Sequence, residues 1–61
     1  MKLFISEHEE RHQGAILVHD EYLNDIAEFY HNEHASVDTS YEEALRLAKL
    51  LVEANNSTLA S

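Results

Sequence analysis

Apolar and polar positions alternate at the start of the chain. Leu3 and Ile5 fall on one side of an extended segment and Phe4 on the other, which predicts a first strand over residues 2–7. His8 to Gln13 is wholly polar and runs into Gly14, the single glycine, so a connection belongs there. Ala15, Ile16, Leu17 and Val18 form the longest unbroken apolar run. The run is short and partly β-branched, and it predicts a second strand over residues 15–19, paired antiparallel with the first.

From Asp20 the period lengthens. Leu23, Ile26, Ala27 and Tyr30 recur at i, i+3, i+4 and i+7, the spacing of one helical face, and predict a first helix over residues 20–34. Asp20 and Glu21 would complement the dipole at its start. Residues 36–40 read as a linker carrying cap residues, where Thr39 with Glu42, or Ser40 with Glu43, makes a capping box. Beyond it Tyr41, Ala44, Leu45, Ala48, Leu51 and Val52 share a face, predicting a second helix over residues 40–55. Asn55–Asn56 is expected to end this helix, leaving residues 57–61 as a flexible tail. The pattern describes a small α+β domain over residues 1–56, an N-terminal two-stranded antiparallel hairpin followed by two amphipathic helices. It also leaves open a three-stranded variant in which part of residues 29–37 is a strand.

Charge sharpens this picture. Eight acids and no lysine or arginine lie between His12 and Leu45, within a formal net charge of −8. The four basic residues are Lys2, Arg11, Arg46 and Lys49. Crowded like charges weaken the compact state, so the imbalance points to a surface kept acidic for a partner or for solubility. The second helix balances its charges, with Glu42 four residues before Arg46 and Lys49 four before Glu53. The first does not. On a helix, Glu21, Asp25 and Glu28 would fall within about 60° of one another with no cation in reach.

Tyr22 and Phe29 flank those acids, and aromatic anchors beside charges are common at binding hot spots. Glu21, Tyr22, Asp25, Glu28 and Phe29 are therefore the candidate partner-binding residues, and the partner they fit is a protein with a basic surface. The plainer alternative is that Tyr22 and Phe29 complete the core while the acids solubilise it. On the second helix the apolar arc spans about half the circumference, wider than one small core needs. Leu47, Leu50 and Ala54 are accordingly a candidate homodimer contact, set against the plainer reading that they are simply exposed.

Composition limits the chemistry. Sixty-one residues bury only about 60% of their unfolded surface, and the absence of cysteine removes both disulfides and thiolate zinc sites. The apolar runs are far short of a membrane span, and no basic segment followed by an apolar one opens the chain. No membrane association and a cytoplasmic location are expected. His8-Glu9-Glu10-Arg11-His12 matches the HExxH spacing of zinc peptidases, but in a polar loop instead of a buried helix and with no evident third ligand. His31 and His34 are spaced to share a transition metal, with Glu28 or a histidine from the loop, but surface histidines near a helix end are the better explanation and no metal is expected.

No phosphate-binding loop, nucleophile elbow or carboxylate pair in a cleft is present, so neither an enzyme nor a cofactor is expected. Four basic residues are too few for direct nucleic-acid binding. Protonating the five histidines would move the charge from −8 to −3, a route to pH-sensitive binding. What remains is an interaction protein. The leading expectation is a small acidic, non-enzymatic binding module, of the phage-inhibitor type, that occludes a basic nucleic-acid-binding site on a host protein through its acidic first helix. The alternative is a small homodimeric structural or antitoxin-like protein that associates through the second helix.

Overall fold

The computed structural model describes residues 1–6, 14–33 and 35–60. Strands β1 (Leu3–Ser6), β2 (Ala15–Asp20) and β3 (Asp25–Tyr30) precede a helix, α1 (Tyr41–Ala60). The strands form one antiparallel sheet in the order β1-β2-β3, and α1 packs on one face of it.

The central strand explains the apolar run. Ala15, Ile16, Leu17 and Val18 are all buried, so β2 is covered on both faces, and such a strand reads as continuous rather than alternating. Ile16 and Val18 face the helix. Their cross-strand partners are Phe29 and Ala27 on β3, with Ile5 on β1 beside Val18. Together with Leu3 these side chains meet Ala44 and Ala48 of α1, and Tyr41, Leu45, Leu51 and Val52 pack around them. Two alanines at the centre of the contact let the helix lie close on the strand.

The helix expected over residues 20–34 does not form, and with it goes the hairpin-plus-two-helices architecture. Residues 20–30 instead make the end of β2, a tight turn and β3. Residues 20–30 carry two periods at once: Leu23, Ile26, Ala27 and Tyr30 suit a helix, whereas Ala27 and Phe29 alternate with Glu28 and Tyr30 as in a strand. Three effects favour the strand. A lone two-stranded hairpin is marginal, and a third strand satisfies the second edge of β2. Glu21 and Asp25, at i and i+4, would repel on a helix. Asp20, expected at a helix start, instead binds the amides of Tyr22 and Asn24 at 2.8 and 2.9 Å. The third strand thus begins before the 29–37 stretch of the three-stranded variant and shares only Phe29 and Tyr30 with it.

Helix α1 starts as a capped helix should. Ser40 Oγ accepts the Glu43 N–H at 3.1 Å and Ser40 O accepts the Ala44 N–H at 3.0 Å. Glu43 pairs with Arg46, taking the place expected for Glu42. The helix does not stop at Asn55–Asn56, and the expected tail is helical through Ala60. Asparagine disfavours helix interiors when its amide competes for the local backbone. Here the amides are engaged elsewhere: Asn56 bonds Leu3 N and O, and Asn55 Nδ2 donates to Met1 O at 2.7 Å.

Candidate functional site

The β2–β3 hairpin carries most of the candidate residues, and Asp20 shapes it. Asp20 N–H donates to Asn24 O, and Leu23 N–H donates to Asp20 O, each at 3.1 Å. This closes a three-residue loop of the kind whose last residue is left-handed and usually glycine. Here it is Leu23, with φ 66°. A left-handed conformation costs a residue with a Cβ about 1–2 kcal/mol. That leucine and its neighbour Tyr22 stand out into solvent, 71% and 79% exposed.

Asp20 itself is buried. The Asn24 main-chain N–H, helped by the Asn24 side chain and the Tyr22 N–H, holds its carboxyl below the ordinary value of 3.8 against the opposing effect of burial. A charged acceptor at the base of the turn is thereby kept ionised.

Along β3 the register slips between Val18 and His19, so Asp25 lies opposite His19 and Ile26 has no cross-strand partner. Paired residues share a face, which puts Asp25 on the side of the sheet away from α1. Glu28 and Tyr30, opposite Leu17 and Ala15, lie on the same side. Tyr30 Oη donates to Glu28 Oε2 at 2.8 Å. That bond, reinforced by the carboxylate charge, raises the phenol above its ordinary 10.0. A shallow concavity of about 290 Å³ follows the strand, lined by Asp25, Ile26, Ala27, Glu28 and Tyr30.

Of the five expected binding residues, Glu21 and Tyr22 are exposed at the turn, and Asp25 and Glu28 are exposed on β3. Phe29 is not among them at the surface. It points to the opposite face and packs against the core, because a strand sends successive side chains to opposite sides. The shared helical face of Glu21, Asp25 and Glu28 is likewise replaced by a turn and a strand. Leu23 and Tyr30 join the surface unforeseen; the Asn24-Asp25 turn pair and the alternation after it were the available signals.

No protein-family model, curated protein or solved structure matches this chain.

Of the histidines in the two candidate metal motifs, only His31 is among the described residues. His31 is fully buried, its ring edge-on to Tyr41 with centroids 5.0 Å apart at 84°, rather than on a helix surface. His34 and the His8–His12 motif lie outside the described residues. Among the described residues, no three histidine, cysteine or acidic side chains are grouped to hold a metal, and no helix is long and apolar enough to cross a membrane. On α1, Leu47 and Leu50 are 37% and 51% exposed, and Ala54 is exposed as well.

Proposed function

We propose that this protein is a small acidic, non-enzymatic binding module that engages a basic protein surface through its β2–β3 hairpin. One observation carries the reading: Tyr22 and Leu23 stand in solvent at a turn in which Leu23 is left-handed, flanked in the chain by the exposed acids Glu21 and Asp25, with Glu28 exposed further along β3. Unfavourable backbone geometry that serves to expose apolar side chains fits a contact surface better than it fits stability. The aromatic and the leucine would anchor, and the acids would steer the encounter and fix its orientation. A basic nucleic-acid-binding site on another protein is the kind of surface such a hairpin would block.

The test is retention of partners on the immobilised protein across a salt gradient, repeated with Asp25→Lys and Glu28→Lys together. Retention that weakens steeply with salt and is lost in the reversed variant supports the reading. A partner held equally by both proteins at all salt concentrations overturns it.

A second reading rests on a different surface. The outward stripe of Leu47, Leu50 and Ala54 favours self-association of two copies through α1, with the hairpins left free.

A further inference from the structure

The sheet treats its two edges differently. On β1, Leu3 N–H donates to Asn56 Oδ1 at 3.0 Å, and Asn56 Nδ2 donates to Leu3 O at 3.1 Å. A single side-chain amide thus occupies the outward main-chain groups of Leu3 as a neighbouring strand would. On β3, no further strand follows among the described residues.

The ladder fixes which main-chain groups β3 offers. His31 N–H donates to Gly14 O at 2.7 Å. Antiparallel pairs alternate between bonded and non-bonded, so Phe29 with Ile16, and Ala27 with Val18, are the bonded pairs. The main-chain groups of Glu28 and Tyr30 therefore point away from β2. The next residue in that outward row, Asn32, donates its N–H to Thr39 O at 2.7 Å. One end of the row is already occupied, and the rest opens along the concavity lined by Asp25, Ile26, Ala27, Glu28 and Tyr30.

We propose that the β3 edge accepts an extended basic segment of a partner protein as a fourth strand. This rests on the function proposed above and specifies how that partner is held. Main-chain bonds to Glu28 and Tyr30 supply affinity, and alternate side chains of the incoming strand supply specificity. Those on the open face lie beside Asp25 and Glu28, where lysine or arginine makes a favourable cross-strand pair. An arginine reaching Tyr30 meets a half-exposed ring with an electron-rich face. The segment recognised is one with basic residues at every second position.

A second copy is the wrong occupant. Two β3 strands laid together crowd the Asp25 and Glu28 of both copies, and residues 20–30 contain no lysine or arginine to relieve them. Exposed edges are commonly protected by lysine or proline. β3 carries neither, and its acids discourage self-pairing while leaving the edge open to a cationic strand.

The probe is a capped seven-residue peptide of alternating lysine and valine, titrated into the isotope-labelled full chain. Two further peptides carry N-methyl groups, one on the lysine amides and one on the valine amides, with every charge retained. A strand presents one alternate set of amides to its neighbour, so one methylated peptide should lose on the order of tenfold in affinity and the other little. The Glu28 and Tyr30 amides should become protected from exchange when the parent peptide binds. If both methylated peptides bind like the parent, or those two amides stay unprotected, strand addition is wrong while an acidic contact surface stands. If the parent peptide does not bind although a basic partner is retained in a salt-dependent manner, strand addition is again wrong. If retention is indifferent to salt and to charge reversal, the underlying function fails instead.

Discussion

Asp20 holds Asn24 by three bonds: Oδ1 accepts its main-chain N–H at 2.9 Å, Oδ2 accepts its side-chain Nδ2 at 3.1 Å, and the Asp20 N–H donates to Asn24 O at 3.1 Å. With the Tyr22 amide also bound, one carboxylate organises the whole turn. Removing it leaves the part-buried N–H donors of Tyr22 and Asn24 without this acceptor. Asp20→Ala should lower the thermal midpoint and broaden the amide signals of residues 21–24. A variant with unchanged midpoint would show that pairing to β2 alone defines the turn.

The same carboxyl predicts how stability varies with pH. Its value is depressed in the folded state, mainly by the Asn24 N–H. Its contribution is therefore complete above the ordinary value of 3.8 and is lost as pH falls through the depressed one. Glu43 shifts in the same direction through Arg46. Urea midpoints followed from about pH 6 to about pH 3 should fall for the natural chain and fall less for Asp20→Asn. Glu43→Gln separates the second contribution from the first.

Leu23 should be replaceable with a gain. The left-handed backbone costs about 1–2 kcal/mol with a Cβ present. Glycine gives back about 0.5–1 kcal/mol of that through the greater freedom of its unfolded chain. Leu23→Gly should thus stabilise by roughly 0.5–1 kcal/mol in urea unfolding while weakening partner retention. Stabilisation with retention intact would mean that the leucine is not a contact.

Phe29 and Tyr22 should separate cleanly. Phe29 packs on the core, so Phe29→Ala should cost roughly 2–3 kcal/mol, somewhat less than a fully buried phenylalanine. Tyr22 is 79% exposed, and Tyr22→Ala should stay within about 0.5 kcal/mol while reducing binding. Denaturant titration of both variants decides whether the two aromatics serve different ends.

Self-association through α1 makes its own prediction. Leu47→Glu with Leu50→Glu should give a monomer by analytical ultracentrifugation at concentrations where the natural chain is a dimer. Equal sedimentation of the two chains would remove that second reading.

The parts legible from sequence are those where one signal acted alone. The run from Ala15 to Val18 reads only as a buried strand, and Ser40 followed by Ala44, Ala48 and Leu51 reads only as a capped helix. Residues 20–30 were ambiguous because their apolar positions fit both periods. The aspartate that opens the segment is equally suited to a helix start and to a tight turn. The choice depended on the open edge of β2, a long-range requirement that no local window contains. Four of the five expected contact residues remain at the surface because charge and exposure survive the change of element. Phe29 does not, since its side is set by the parity of a strand.

The pairing of Leu3 with Asn56 joins positions 53 apart in the chain. Every strand contact links neighbours in sequence, so the meander can assemble while later residues are still being synthesised. The outward groups of Leu3 cannot be bonded in that interval, because the amide that bonds them belongs to α1. β1 is made before β2 and β3 but Leu3 is secured only after them, and a nascent chain arrested before Asn56 would leave the outward main-chain groups of Leu3 open.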